Sequence, residues 1–368
     1  MGSLPSPPRP ALPPSPSQSP ENLSNYVVAA VFCPREPTPE VTLPNSIELY
    51  YPNMNTWSHV GPIPGLIDGQ VLKGFSMVSL GDSIYIIGGQ ICHKERVHVT
   101  DESADLVDIG IQVIPTVHRY NLKTNQFFQC APLHVARYDF ACTVCDNKIY
   151  VAGGKSTLAS ARGISSAEVY DPEHDTWTSL PNMRILRYKC TGVTWQGKVY
   201  IVGGFAGRKD SDKTMPSIVE RSSAEVYDTA AGKWEVMAGM WQLDVPPNQI
   251  VEVNGTLFSS GDCLNAWKGQ IEAYDGKLWY EVDGSSNQRL STLEDSYCKQ
   301  RLYLTMAPIG TTLFFLAGYR LDRDIARTLS IVHVFDTSAT GHAWRSFEPV
   351  ELEGEKELCS HCCVVQLS

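Results

Sequence analysis

Two cysteines near the end of the chain have the spacing of metal ligands. In the stretch "CSHCC" (359–363), Cys359 and Cys362 stand three positions apart, as paired thiolate ligands of zinc often do. On an extended strand, however, alternate side chains point to opposite faces, so these two thiols would diverge. We therefore interpret the stretch as part of a structural strand and not as a metal site.

Catalytic motifs with a defined spacing are missing from the sequence. There is no P-loop, no dinucleotide fingerprint after a strand-like run and no nucleophile elbow. His93 and His98 could bind a metal, but the residues around them are equally typical of an exposed polar segment. We therefore predict that the protein is not an enzyme and has no catalytic residue, no metal and no cofactor.

Long connections between strand-like runs are predicted at 90–116, 155–165, 205–222 and 319–330, and binding residues are often found in such connections. Basic residues recur in the last three. They are Arg162, Arg208, Lys209, Arg320, Arg323 and Arg327. A basic surface on an acidic chain would suit a protein or peptide ligand that carries carboxylates or phosphates. The alternative is a solvated rim whose charges pair locally with Asp210, Asp212, Asp322 and Asp324.

Arg137 and Arg187 form a second, more regular set. Each precedes a tyrosine at the start of a strand-like run, and the two recur in register. They could reach a partner at the surface, and we include them among the candidate partner-binding residues. They could equally bind Glu168 or Glu225 of a neighbouring unit, and their recurrence favours that structural role.

The overall composition narrows the possible functions. The chain has 368 residues, of which 43% are hydrophobic and 19% charged, as in a folded protein. A net charge of −10 disfavours nucleic-acid binding. No apolar run approaches the ~20 residues that span a bilayer, and no signal peptide is evident. We expect a cytoplasmic or nuclear protein, not bound to membrane, with its 11 cysteines reduced.

An internal repeat indicates which secondary-structure elements would position these residues. The stretch "SSAEVYDPEHDTWTSLPNM" (165–183) returns as "SSAEVYDTAAGKWEVMAGM" (222–240). Three runs, "GDSIYIIGG" (81–89), "DNKIYVAGG" (146–154) and "QGKVYIVGG" (196–204), each join a turn, a β-branched run and paired glycines. With the apolar segments before them they predict β-hairpins, and a third and a fourth strand follow in each unit.

The two ends of the chain each look like part of a unit. "SNYVVAA" (24–30) resembles a second strand, with Ala29-Ala30 where other units have paired glycines, and "ELCSHCCVVQLS" (357–368) resembles a first strand. Pairing of these ends would complete a sixth unit and close a ring without exposed sheet edges. Residues 1–23, rich in Pro and Ser, predict a disordered tail ahead of a domain at 24–368.

The paired glycines, the Tyr-Asp dipeptide and the Trp seven residues beyond the Tyr resemble the kelch motif. The resemblance covers residues 24–368 and implies an all-β, six-bladed β-propeller closed by pairing of the N- and C-terminal strands in one blade. The signature residues would be structural. They are Gly88, Gly89, Gly153, Gly154, Gly203, Gly204, Tyr170, Tyr227, Trp57, Trp177, Trp234, Trp279 and Trp344. The glycines would allow close approach of the backbone at the end of the second strand, and the tryptophans would fill the space between blades.

The stretch "NMRILRYKCTGVTWQGKVYIVGG" (182–204) is similar to the kelch part of plant F-box/kelch-repeat proteins. That resemblance implies a substrate receptor of a ubiquitin ligase, although the first 25 residues contain no helical F-box. We expect a non-enzymatic module that recognises a protein or peptide. The alternative is a metal-dependent enzyme similar to nitrile-specifier proteins or copper oxidases. The sequence does not indicate the oligomeric state.

Overall fold

The computed structural model describes most of the chain in nine segments. These are residues 23–35, 44–100, 103–207, 218–243, 245–262, 271–282, 298–321, 327–339 and 343–367. The predicted tail at 1–23, apart from Leu23, lies outside the described residues. So do the candidate residues Arg208, Lys209 and Arg323.

The first third of the chain contains ten strands after a short 3-10 helix at Leu23–Asn25. The strands are β1 (Tyr26–Pro34), β2 (Ser46–Tyr51), β3 (Thr56–Pro62), β4 (Gln70–Lys73), β5 (Ser76–Leu80), β6 (Ser83–Ile87), β7 (Gln90–Thr100), β8 (Ser103–Val113), β9 (Val117–Asn121) and β10 (Gln126–Cys130).

The middle of the chain adds ten further strands and one short helix. They are β11 (Ala141–Cys145), β12 (Lys148–Ala152), β13 (Ala167–Asp171), β14 (Thr176–Leu180), β15 (Leu186–Tyr188), β16 (Thr191–Trp195), β17 (Lys198–Val202), β18 (Phe205–Gly207), α1 (Ile218–Arg221), β19 (Ala224–Asp228) and β20 (Lys233–Met237).

The last third of the chain completes the set of strands in the described residues. They are β21 (Ile250–Val253), β22 (Thr256–Ser259), β23 (Ile271–Tyr274), β24 (Trp279–Val282), β25 (Cys298–Ile309), β26 (Thr312–Leu321), β27 (Arg327–Asp336), β28 (Trp344–Ser346), β29 (Val350–Glu353) and β30 (Lys356–Gln366).

Six antiparallel sheets share one design in the described part of the chain. Four have the orders β10-β9-β6-β5, β11-β12-β13-β14, β16-β17-β19-β20 and β21-β22-β23-β24. A fifth is β25-β26-β27-β28, with β29 also paired to β27, and the sixth is β3-β2-β1-β30. Each of these sheets is open, and the predicted repeat of hairpin, third strand and fourth strand is present in each.

The two chain ends pair with each other in the sixth sheet. Val27 lies opposite Val365, and Val28 lies opposite Val364, in an antiparallel ladder between β1 and β30. The ladder has a β-bulge between Ala29 and Val31. The last strand of the chain is thus hydrogen-bonded to the first, as the sequence predicts.

Neighbouring sheets pack face to face, and the hydrophobic core lies between them. One layer joins Tyr85 and Ile87 of β6 to Phe140, Val151 and Trp177 of the next unit along the chain. Burying side chains of this size supplies the main favourable term in folding. The core is therefore divided into several layers, each shared by two units.

The aromatic signature residues lie at these layers. Tyr170 and Trp177 are cross-strand neighbours with ring centroids 5.0 Å apart, and Tyr227 and Trp234 repeat the arrangement at 4.9 Å. The indole N–H of Trp177 donates to the carbonyl of Ala131 in the preceding unit at 2.9 Å. Each tryptophan therefore fills a gap and ties two units together.

Sequence and structure differ at residues 90–116, which the sequence places in a long connection. The segment instead forms a hairpin of β7 and β8, and β7 also pairs with β4 in a three-stranded sheet. In the predicted connection at 319–330 the described residues are also strand, because β26 continues to Leu321 and β27 starts at Arg327.

A second difference concerns the units without paired glycines. Gly153 and Gly154 have φ of +71° and +91°, and β12 ends just before them. Ala29 and Ala30 lie inside β1, which continues to Pro34. Because an L-residue with a Cβ disfavours positive φ, the strand continues where alanine replaces glycine.

Candidate binding surface

The loop surface is the end of the sheets at which second strands end and third strands begin. Arg137 lies there, just before β11, with a fully buried side chain. Its guanidinium donates to the carbonyls of Gly153 and Ser166, both at 2.9 Å, and to Glu168 Oε1 at 2.7 Å. All three acceptors belong to the same unit as Arg137.

Glu168 extends this buried network to the connection that precedes the unit. Its carboxylate accepts hydrogen bonds from the backbone N–H groups of His134 at 2.8 Å and Val135 at 3.2 Å. Burial lowers the pKa of the Arg137 guanidinium, and the adjacent Glu168 carboxylate opposes that effect. The charges are therefore compensated inside the protein.

Arg187 repeats the arrangement in the next unit. It donates to the carbonyls of Gly203 at 2.9 Å and Ser223 at 3.0 Å, and its Nε lies 3.8 Å from Glu225 Oε1. Burial raises the pKa of Glu225, while backbone N–H donors and the arginine oppose the rise. Arg187 is also fully buried.

These positions favour the structural alternative for Arg137 and Arg187. Neither side chain reaches the surface, so neither can contact a partner directly in this conformation. The expected tie to a glutamate exists, but it lies within one unit instead of between two. The link between units is made by the backbone, because the N–H of Gly89 donates to the carbonyl of Arg137 at 2.8 Å.

The basic residues of the connections are placed differently from one another. Arg162 is exposed. Arg320 pairs with Glu355 at 2.5 Å, and Arg327 pairs with Glu351 at 3.0 Å. In the described part of the chain these two arginines thus pair with nearby glutamates. The aspartates that the sequence suggested as partners, Asp210, Asp212, Asp322 and Asp324, lie outside the described residues.

A different set of cations meets aromatic rings on the loop surface. Lys155 Nζ lies 4.2 Å from the centroid of the Tyr188 ring, and that ring lies 5.1 Å from the ring of Phe205. The guanidinium carbon of Arg221 lies 5.4 Å from the Phe205 ring. All four side chains are half-buried. We name Lys155, Tyr188, Phe205 and Arg221 the cation–aromatic row.

Sequence reasoning missed this row, although a signal existed. Lys155 and Phe205 each directly follow a Gly-Gly pair, and Tyr188 directly follows Arg187. Lys155 and Phe205 thus occupy equivalent positions in the repeat, and pairing of β15 with β18 places Tyr188 opposite Phe205. Comparing the residue after each glycine pair would have identified half of the row.

A cavity of about 850 Å³ extends to Lys189, which directly follows Tyr188 of the row. It is lined by β5, β11, β16, β21, β25 and β30, so every one of the six sheets contributes an edge strand. Asp139 and Lys189 line it at equivalent positions, both with φ of +52°. Burial raises the pKa of Asp139, and the ammonium groups of Lys189 and Lys155 oppose the rise.

One cluster in the described residues has the geometry to hold a metal ion. Asp171, Glu173 and His174 come together in the turn between β13 and β14. Asp171 there already pairs with Lys148 at 2.9 Å and with His174 at 3.3 Å. The Lys148 ammonium donates a hydrogen bond to the Asp171 carboxylate, and this lowers the pKa of that carboxyl to about 2. The turn belongs to the outer strands and not to the loop surface.

Among the described residues, the cysteines form no such cluster with histidine. Cys33, Cys92, Cys130, Cys142, Cys145, Cys190, Cys359, Cys362 and Cys363 are free thiols. Burial raises the pKa of Cys190 to about 11 and that of Cys362 to about 12. The CSHCC stretch forms part of β30, as predicted. Within the described residues, the structure also contains no helix with the length and apolar character needed to cross a membrane.

Comparison with known proteins identifies the repeat. The family model of the kelch motif matches residues 136–184 and 186–240. An F-box/kelch-repeat protein of Arabidopsis thaliana is 29% identical over 235 residues, which are 63% of this chain and 56% of that protein. Another, SKIP30, is 26% identical over 311 residues, which are 83% of this chain and 75% of that protein.

Animal proteins with kelch repeats are also similar. Kelch-like protein 26 of Danio rerio is 26% identical over 264 residues, 70% of this chain and 37% of that protein. The chain spans 56% and 40% of the lengths of two of its F-box/kelch-repeat relatives. Among solved structures, that of YjhT aligns with a TM-score of 0.51 at 14% identity, over 82% of this chain and 91% of that one.

The structural match supports the fold alone, because its sequence identity is low. The motif match covers the two units in which the signature residues are complete. The relatives extend the likeness across most of the remaining chain. The chain therefore contains kelch repeats at residues 136–184 and 186–240, and it is similar to the plant F-box/kelch-repeat proteins.

Proposed function

We propose that the six sheets are the blades of one closed propeller formed by residues 24–368. Two observations support this arrangement. Edge strands of all six sheets line a common cavity, and the last of them, β30, is paired to the start of the chain. The first strands of successive sheets also contact one another, including β25 with β30 and β30 with β5. Residues 1–23 would then form a separate tail.

On this scaffold we propose a non-enzymatic module that recognises a protein or peptide at the loop surface. The observation that carries the proposal is the cation–aromatic row beside the cavity. Half-buried rings offer apolar contact area, and the flanking ammonium and guanidinium groups can bind carboxylates or phosphates. The row suits an acidic or phosphorylated segment with an apolar side chain.

The charge of the whole chain makes such a site selective. With a net charge of −10, the molecule repels acidic partners over most of its surface. Lys155, Lys189 and Arg221 place three cations at the loop-surface end of the sheets, where the described residues also include the Asp139 carboxylate. An acidic segment would therefore be favoured at that end.

The relatives suggest a setting for this recognition. Several are named F-box/kelch-repeat proteins, and others are kelch repeat and BTB domain-containing proteins. In our proposal the chain recruits a substrate to a ubiquitin ligase, as an adaptor in the cytoplasm or nucleus. The row would hold the substrate, and a separate scaffold would hold the ligase.

Binding to arrayed peptides tests the recognition site. Acidic, phosphorylated, basic and neutral peptides of equal length are presented to the purified full chain and to a Lys155→Glu/Arg221→Glu variant. Lys233→Glu serves as the matched control, because Lys233 is exposed on β20 and pairs with Glu235 at 2.8 Å, away from the row. Calorimetry then measures affinities for the best peptides.

We expect acidic or phosphorylated peptides to bind the chain and the control alike. The double variant should bind them about tenfold more weakly or worse, since each charge-assisted contact contributes about 1.5–3 kcal/mol. Equal binding by all three proteins, or a preference for basic peptides, would contradict the proposed site.

A further inference from the structure

Two cysteines meet where β1 and β30 pair. Cys33 lies near the end of β1, and Cys359 lies in β30. In the ladder Cys33 is opposite Glu357, and Cys359 follows two positions later on β30. Both cysteine side chains belong to the same buried cluster, and a hydrogen bond joins the two thiols. The two sulfur atoms therefore lie close together at the junction of the first and last strands.

An irregularity in β30 supports this placement. Phe32 pairs with Leu358 and Val31 pairs with Ser360, so Cys359 is an extra residue without a partner on β1. Such a bulge changes the direction of a side chain locally. The thiol at this position is thus free of the regular ladder.

Positive charge lies beside this pair of thiols. The ammonium groups of Lys73 and Lys94 both bind the carboxylate of Glu357. Burial by itself raises the pKa of Cys359, but the hydrogen bond with Cys33 and the two ammonium groups outweigh burial and lower it, although Glu357 opposes them. The same hydrogen bond, together with burial, raises the pKa of Cys33. Cys359 therefore favours the thiolate, the nucleophilic form, while Cys33 stays protonated.

Other cysteines whose side chains the structure describes lack this environment. Cys190 also lines the cavity and is 6% exposed, against 8% for Cys359, but burial raises the pKa of Cys190 to about 11. Burial and the Asp108 carboxylate raise the pKa of Cys92 to about 11 as well. A lowered pKa thus distinguishes Cys359 from a cysteine of similar exposure in the same cavity.

We propose that Cys33 and Cys359 form a peroxide-sensitive dithiol, whose disulfide joins β1 to β30. A small hydroperoxide can approach Cys359 because this residue lines the cavity. Cys33 is 1% exposed, so it reacts with the neighbouring sulfur and not with the oxidant. Two cysteines on paired strands with adjacent thiols have the proximity that a disulfide requires.

The reaction has two steps. The Cys359 thiolate attacks one oxygen of the peroxide, the O–O bond breaks, and a sulfenic acid forms as hydroxide leaves. The Cys33 sulfur then attacks the Cys359 sulfur, the S–O bond breaks, and a disulfide forms with release of water. The two thiols together lose two electrons, which reduce the peroxide.

The disulfide would fasten the two ends of the fold. It closes a loop that contains nearly the whole chain, and a cross-link of that kind restricts the unfolded chain. Reductants of a cytoplasmic or nuclear compartment would reopen it, as is usual for transient disulfides of redox-sensing proteins. The oxidised protein should therefore be the more stable form.

Mass spectrometry of the full chain tests the pairing. The reduced protein is treated with hydrogen peroxide, the remaining thiols are alkylated after denaturation, and the digest is analysed without reduction. We expect two peptides joined through Cys33 and Cys359, lighter by the two thiol hydrogens and separated again by dithiothreitol. Cys190 should remain free for alkylation. The oxidised chain should also unfold at a higher urea concentration than the reduced chain.

Variants test the order of the two steps. Cys33→Ser removes the second thiol, so the sulfenic acid at Cys359 should persist and react with dimedone. Cys190→Ser is the matched control, because it removes a buried thiol of the same cavity outside the pair. This control should form the disulfide at the rate of the parent chain.

The parent chain alone decides the main point, so the test does not require a variant to fold. A disulfide between Cys33 and Cys359 that forms at least about tenfold faster than Cys190 is oxidised supports the proposal. Equal oxidation at Cys190 overturns it, and so does absence of this disulfide at a peroxide concentration that oxidises the thiols of the denatured chain. A folded Cys33→Ser chain that yields no dimedone adduct at Cys359 contradicts the first step.

Discussion

The carbonyl oxygen of Arg187 accepts a hydrogen bond of 2.8 Å from the N–H of Gly154 in the preceding unit. A Cβ built on the adjacent Gly153 would lie 2.8 Å from that same oxygen. The guanidinium of Arg187 meanwhile binds carbonyls of its own unit. One arginine therefore fixes its own unit with its side chain and the neighbouring unit with its backbone.

This contact predicts a large cost for the substitution Gly153→Ala. Both Gly153 and Gly197 have positive φ, of +71° and +70°, but a Cβ on Gly197 would meet nothing within 4 Å. Gly197→Ala should therefore cost only backbone strain, about 1 kcal/mol. Gly153→Ala adds a clash with backbone and should cost about 3 kcal/mol or more. Urea unfolding measures both; equal costs would contradict the close-approach account.

The buried pair of Arg137 and Glu168 predicts strong coupling between two substitutions. Arg137→Met leaves a buried carboxylate without its cation, which should cost about 3–5 kcal/mol in the free energy of unfolding. The double variant Arg137→Met/Glu168→Leu removes both charges and should recover part of that loss. Additive costs in a double-mutant cycle would show that the pair does not act as a unit.

We expect packing and hydrogen bonding of Trp177 to make separate contributions to the free energy of unfolding. Trp177→Ala empties a site that is 5% exposed and should cost about 3–5 kcal/mol. Trp177→Phe keeps a ring beside Tyr170 but loses the bond to the carbonyl of Ala131, so we expect an intermediate cost of about 1–3 kcal/mol. Thermal and urea unfolding compare the two; a cost below about 1 kcal/mol for Trp177→Ala would be inconsistent with a packed interface.

Glu357 on β30 predicts a loss of stability in acid. Its carboxylate binds Lys73 Nζ, lies 2.8 Å from Lys94 Nζ and accepts from the Cys33 thiol at 3.1 Å. Burial by itself raises the pKa of Glu357, but the ammonium groups of Lys73 and Lys94 outweigh burial and hold the pKa at about 2. The carboxylate is thus stabilised in the folded state.

Because the folded pKa lies below the unfolded value of 4.5, this stabilisation is present above pH 4.5 and disappears as the pH falls toward 2. Glu357→Gln should lower the free energy of unfolding at pH 7 by up to about 3 kcal/mol. The variant should also show a weaker pH dependence than the parent chain below pH 4.5. Parallel pH profiles for the two proteins would exclude the predicted role.

The sequence predicted the repeat correctly in the units whose signature residues each have a single structural role. Paired glycines ended β12 and β17, and Tyr170 and Trp177 became cross-strand neighbours, because these features depend on contacts within a unit or with the next one. The hairpin at 90–113 was missed although Val107, Ile109 and Ile111 alternate with other residues. The charged residues around it resemble a surface connection, and no paired glycine marks its end.

The candidate binding surface was less predictable for a topological reason. Tyr188, Phe205 and Arg221 come from separate segments of one unit, and Lys155 comes from the preceding unit. Pairing of β15 with β18 and packing of adjacent units are both needed to bring them together. The sequence did not predict whether the Arg137 side chain is buried, because a residue at the start of a strand can lie either at the surface or in the core. Its partners became evident only from the geometry of the carbonyls around it.

Hydrogen exchange of the two terminal strands tests closure of the ring most directly. In the full chain, amides of β1 and β30 should exchange only through global unfolding, with the same protection as β17 in the middle of the chain. Rapid exchange of Lys356–Gln366 while β17 remains protected would show that the last strand is not part of the cooperative fold, and would contradict the closed propeller.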